Sequence, residues 1–112
     1  MKYRGSRDAN HLLIVAAFES IGCSTADLAL AGVNGFPDLV VGCAGRTHLV
    51  EVKNPETSYG RAGLNRDQSA FARDWRGGKV YVVETVEDVY ALVQQWRKEI
   101  AAACIASRHT ER

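Results

Sequence analysis

The stretch "GFPDLVVGCAGRTHLVEVKN", residues 35–54, decides the fold. Two apolar, β-branched runs, 38–42 and 47–53, are separated by "CAGR". That connection is too short for a parallel crossover, so the runs pair as an antiparallel hairpin turning near Ala44 and Gly45. Side chains alternate between the two faces of a strand. Thr47, Leu49, Glu51 and Lys53 therefore share one face, and His48, Val50 and Val52 share the other. Asp38 opens the first strand behind Pro37, which favours an extended entry. The start of one hairpin strand lies opposite the end of its partner. Asp38 is thus expected beside Glu51 and Lys53, at the open end.

Two carboxylates brought together repel unless one takes a proton or a cation lies between them. Two readings of the trio stand at this point. A divalent ion such as Mg²⁺ takes a few carboxylates together with water and phosphate oxygens, and Lys53 would then orient a water or hold charge on a phosphate. The other reading is a structural salt bridge of Lys53 with Asp38 or Glu51.

The flanks supply the rest of an α/β domain. Segment 8–21 has helical apolar spacing, with Asp8 as a cap and Gly22 as a stop. A strand is expected at about 26–31, and residues 54–64 form a Pro- and Gly-bearing loop. Residues 65–78 read as a helix, with Asn65 as cap, Gln68 at the third helical position and Gly77-Gly78 as its end. Residues 79–84 form a strand, and Thr85 caps a last helix that runs to Ala106. The order is helix, three strands, helix, strand, helix. That is a mixed sheet whose last strand returns through a helical crossover.

The 112 residues fit one domain, with a core at about 5–103 and a tail at 106–112 expected to be disordered. With 46% hydrophobic and 24% charged residues the composition is globular. A chain of this size buries about two-thirds of its unfolded surface and needs no staples. No apolar run approaches the ~20 residues of a membrane span. "MKYRGSRDANH" has no apolar signal core, so a cytoplasmic location is expected. The three cysteines, Cys23, Cys43 and Cys104, fit neither a disulfide framework nor a zinc pattern. No P-loop or dinucleotide fingerprint is present, so no nucleotide cofactor is expected. The net charge of +1 is uninformative, but from Lys53 to Lys79 six cations face three acids.

"GFPDLVVG…HLVEVKN…LNRDQSAFARDWRGGKVYVVET" resembles the PD-(D/E)xK nucleases, whose fold is restriction-endonuclease-like. Within them it is most similar to small stand-alone VRR-NUC and Holliday-junction-resolvase-like proteins of phages and prophages. The similarity spans roughly residues 5–95. It implies motif acids at Asp38 and Glu51, the motif lysine at Lys53, and the backbone carbonyl of Val52 as a further metal ligand. It also implies Gln68 beside the phosphate and an acid on the first helix, for which Asp8 is the nearest candidate. The cofactor so implied is Mg²⁺ or Mn²⁺.

The reaction so implied is hydrolysis of DNA phosphodiesters by a metal-dependent endonuclease. With no separate DNA-reading domain, selection of DNA structure, with branched DNA foremost, is more plausible than selection of sequence. Arg61 and Arg66 are candidates for phosphate contacts, which bring affinity without sequence reading. Tyr59 is a candidate for stacking on a base, and Asn34 for a substrate contact. Each has a plainer reading as an exposed loop or turn residue. His48 is rejected as a catalytic base because it faces away from Glu51. Trp75 and Trp96 are expected in core or interface packing. A homodimer would match two sites to two strands, with Trp96, Ile100 and Ile105 of the last helix in the interface. The alternatives are a non-catalytic DNA-binding or assembly module on the same fold, and a structural protein holding only a salt bridge.

Overall fold

The computed structural model describes residues 9–28, 32–57 and 63–110. Among them seven elements follow in chain order: α1 (Ala9–Ser20), β1 (Ser24–Asp27), β2 (Leu39–Cys43), β3 (Arg46–Val52), α2 (Arg66–Asp74), β4 (Val80–Val83) and α3 (Val86–Thr110). β2 and β3 form the expected hairpin, paired from Cys43↔Arg46 to Leu39↔Val50. Its turn is Ala44-Gly45, with φ of 52° and 83°. Two successive left-handed residues make the turn whose twist suits a hairpin, and Gly45 adopts that conformation freely.

The sheet order is β1-β2-β3-β4. β1 pairs antiparallel with β2, and β4 pairs parallel with β3 after the α2 crossover. β1 begins two residues before the expected start and ends at Asp27, because its register with β2 runs from Ser24↔Gly42 to Asp27↔Leu39. Residues 29–31 lie outside the described residues.

One face of the sheet carries the core. Leu39, Val41, Cys43, Val50 and Val83 meet Ile14, Ala17 and Phe18 of α1 and Val89, Val93 and Trp96 of α3. Fully burying such side chains contributes roughly 1.5–3 kcal/mol each. Gly22, at φ 94°, ends α1 as expected. Thr85 caps α3 through its Oγ1, which accepts from Asp88 N, while Asp88 accepts from Thr85 N. Leu12 and Leu13 stay exposed, in keeping with an α1 that is apolar on more than one face.

Three expectations change. α3 continues as helix to Thr110 where a disordered tail is expected, since the alanine-rich run 101–103 strongly favours helix. Residues 101–108 are exposed on it. Trp96 is only 1% exposed and stacks on His48 and Phe18, so it belongs to the core and cannot serve an interface. α2 stops at Asp74, short of Gly77-Gly78. Trp75 leaves the helix in an extended conformation and stacks on Phe71, with centroids 5.1 Å apart. A Cβ at Gly77 would come within 2.5 Å of Trp75 Nε1, so Gly77 gives the indole clearance. No helix among the described residues is long and apolar enough to cross a membrane.

Candidate active site

The second face of the sheet is built differently. Val40 and Leu49 are register partners on it, and Glu51 lies two residues beyond Leu49. Asp38 precedes Leu39, so continuing the register sets it opposite Glu51. Its backbone oxygen accepts from Leu28 N at 2.8 Å, and its carboxylate accepts from Val52 N at 2.9 Å. The acid is therefore fixed to both neighbouring strands. A strand residue's N–H and C=O face the same edge, so the Val52 carbonyl faces the Asp38 side as well.

α2 crosses this face without burying any residue of its own. Gly35 sets how close it comes: the residue has φ 76°, and a Cβ there would collide with the backbone oxygen of Asp67. Phe36 then meets Phe71 edge-on at 5.2 Å. Asn65 and Gln68 form a reciprocal cap: Gln68 N donates to Asn65 Oδ1 at 2.9 Å, and Asn65 N donates to Gln68 Oε1 at 2.9 Å.

The same Gln68 carboxamide bridges the two charged residues of β3. Lys53 Nζ donates to Gln68 Oε1 at 2.8 Å, and Gln68 Nε2 donates to Glu51 Oε2 at 2.7 Å. Reversing the amide would set its NH₂ against an ammonium and a backbone N–H, so only this orientation satisfies every group. Lys53 Nζ lies 3.6 Å from Glu51 Oε2, and the two residues are only 4% and 3% exposed.

Burial, and after it the charge of Asp38, raise the Glu51 carboxyl from an ordinary 4.5 to about 8 against the pull of Lys53. A proton on Glu51, or a cation between the two acids, relieves their repulsion. Among the described residues no three His, Cys, Asp or Glu side chains converge. A pair of carboxylates with a backbone carbonyl at its edge suits Mg²⁺, which keeps waters and takes one or two carboxylates.

The structure thus brings together Asp38, Glu51, Val52, Lys53 and Gln68. Asp8, Tyr59 and Arg61 lie outside the described residues. Arg66 is exposed on the first turn of α2, two positions before Gln68. Asn34 is exposed and lines a hollow of about 310 Å³ with Asp67, Phe71 and Trp75, a hollow to which Glu51 and Lys53 do not contribute. His48 packs flat on Trp96 with centroids 3.7 Å apart, and burial lowers its pKa, in line with its rejection as a base.

Two contacts at the same sheet edge escape a reading of the sequence. Asn10 Nδ2 donates to the backbone oxygens of Lys53 and Glu84, each at 3.1 Å, and ties α1 to the ends of β3 and β4. His11 is 7% exposed and its Nε2 lies 2.9 Å from Asp27 Oδ2. The one signal for them is the polar "DANH" opening an otherwise apolar helix.

No protein-family model matches this sequence and no curated relative matches it. A solved VRR-NUC domain does match in structure, with a TM-score of 0.50 and 28% identity over 75% of this chain and 89% of that one. The chain therefore resembles VRR-NUC domains in sequence pattern and in fold: a four-stranded mixed sheet between helices, of the restriction-endonuclease-like type.

Proposed function

We propose that this protein is a divalent-metal-dependent endodeoxyribonuclease that prefers branched DNA, four-way junctions included. The observation that carries the reading is the buried Glu51–Gln68–Lys53 bridge facing Asp38. A structural salt bridge would need one acid for one lysine. Here a second acid is buried beside the first and holds a proton up to about pH 8. Burying such a group without use costs stability.

Asp38, Glu51 and the Val52 carbonyl would hold Mg²⁺ or Mn²⁺. When bound, the ion supplies charge neutralisation at the scissile phosphate and acidifies water. Lys53, held by Gln68 Oε1, would orient the attacking water or hold charge on a phosphoryl oxygen. Gln68 keeps the Glu51 carboxylate oriented through its NH₂ group. Water attacks phosphorus in line, and the 3′ or 5′ oxygen departs opposite it. Arg66 and Arg61 would take flanking phosphates, with Tyr59 and Asn34 as further substrate contacts and Asp8 as a further acid. Exposed apolar residues along 101–105 of α3, Ile105 at 56% among them, support a homodimer that sets two sites on one branched substrate.

The test is cleavage of labelled linear, flapped and four-way-junction DNA in Mg²⁺, Mn²⁺ or EDTA, with Glu51→Gln and Lys53→Ala proteins alongside. Metal-dependent cutting that both substitutions abolish supports the reading. DNA binding without cutting would instead favour a non-catalytic module.

A further inference from the structure

The two tryptophans of the chain are placed oppositely. Trp96 is buried, whereas Trp75 is 45% exposed at the end of α2. Its ring is nonetheless fixed. It lies at 16° to the ring of Phe71, and Gly77 leaves it room on another side. Phe71 in turn meets Phe36, two residues before Asp38. Three rings thus form a ladder from the candidate active site to the protein surface. Trp75 is seven residues beyond Gln68, about 10 Å along a helical rise, or about three stacked base steps.

Trp75 also forms the wall between two hollows. The first, shared with Asn34, Asp67 and Asp74, is acidic. The second, of about 400 Å³, contains Arg46, His48, Lys79 and Tyr81, with Glu99 as its one acid. Lys79 Nζ is held 5.3 Å above the Tyr81 ring. A half-exposed indole next to two cations and an aromatic floor matches what single-stranded nucleic acid requires: a π-face for a base and positive charge for the phosphates beside it. Bases inside a duplex already stack on each other and cannot use it.

We propose that Trp75 is a stacking platform for an unpaired nucleobase, with Arg46 and Lys79 taking the flanking phosphates. The protein would then select DNA in which a strand is unpaired within a few nucleotides of the cleaved bond. This rests on the nuclease reading for its biological sense, but its test does not need cleavage.

Trp75 fluorescence is followed in EDTA while a short oligothymidylate, or a blunt duplex of equal length, is titrated in. Oligothymidylate should quench the exposed tryptophan and the duplex should quench it little. Trp75→Ala should weaken oligothymidylate binding, followed by anisotropy of a labelled strand, roughly tenfold, and duplex binding less than twofold. Trp75→Phe, which keeps a ring, should restore much of the loss. Arg46→Ala with Lys79→Ala should weaken oligothymidylate binding and flatten its salt dependence. Emission from Trp96, buried in the core, reports whether each Trp75 variant is folded. Equal quenching by both DNAs, or unchanged affinity in a folded Trp75→Phe and Trp75→Ala pair, would overturn the proposal. Stacking without any cutting would sink the nuclease reading and leave this one standing, whereas cutting with no role for Trp75 would do the reverse.

Discussion

The two faces of one sheet are built from the same strands and serve opposite ends. On the α1/α3 face, Leu39, Val41, Val50 and Val83 are buried among other apolar side chains. On the α2 face, one residue along each strand, Asp38, Glu51 and Lys53 replace them, and Glu51 and Lys53 are as buried as the core itself. A two-residue period is enough to separate the surface that holds the fold together from the one that strains it. Depth of burial does not tell the faces apart. Chemistry does: the first face buries groups that leave water gladly, and the second buries charged groups held by hydrogen bonds to Gln68 and to the backbone.

The comparison breaks most visibly at Phe18. Phe18→Ala empties the core face between α1 and Trp96, and should destabilise the protein by about 3–5 kcal/mol in urea unfolding. If it costs no more than a surface change, the core lies elsewhere. Glu51→Gln and Lys53→Ala should act the other way round. Each should lower metal-dependent cleavage at least about a hundredfold while leaving the protein folded by circular dichroism. Gln68→Ala removes the bridge but no charged group. It should cost about 10- to 100-fold in cleavage or in metal affinity by calorimetry.

The gentlest slope is with pH. The folded protein holds the Glu51 proton up to about 8, whereas the unfolded chain releases it near 4.5. The contribution of that proton to stability is complete below about 4.5 and disappears as pH rises through about 8. Metal-free wild type should therefore lose stability across that window, and Glu51→Gln should lose less. Parallel curves for the two proteins would show that Glu51 is ionised in the folded state and that the second face is not strained.

The hairpin was legible because one period governs everything in it. Alternation alone places Glu51 and Lys53 on a common side and His48 on the other, and the short turn sets Asp38 across from them. The Asn65–Gln68 cap was legible too, as an Asn three residues ahead of a Gln. Its reach to β3 was not legible from local rules, which say nothing of a capping side chain crossing to a strand; the resemblance alone set Gln68 at the site. Asn10 and His11 were hidden for the same reason: their partners, Lys53, Glu84 and Asp27, are distant in sequence. Trp75 and Trp96 look alike in helical context. What separates them is tertiary, because α3 packs on the sheet and α2 merely crosses it.

Gln68 closes the first turn of α2 and joins Glu51 to Lys53 with a single carboxamide. Fraying of that turn and loss of the acid–lysine arrangement are therefore one equilibrium, not two. A short, surface-lying helix opens far more often than the global unfolding rate, so the assembled fraction is set by local opening rather than by overall stability. Amide exchange at Gln68 and Ser69 would read out that fraction directly, and any ligand that grips Lys53 should slow it.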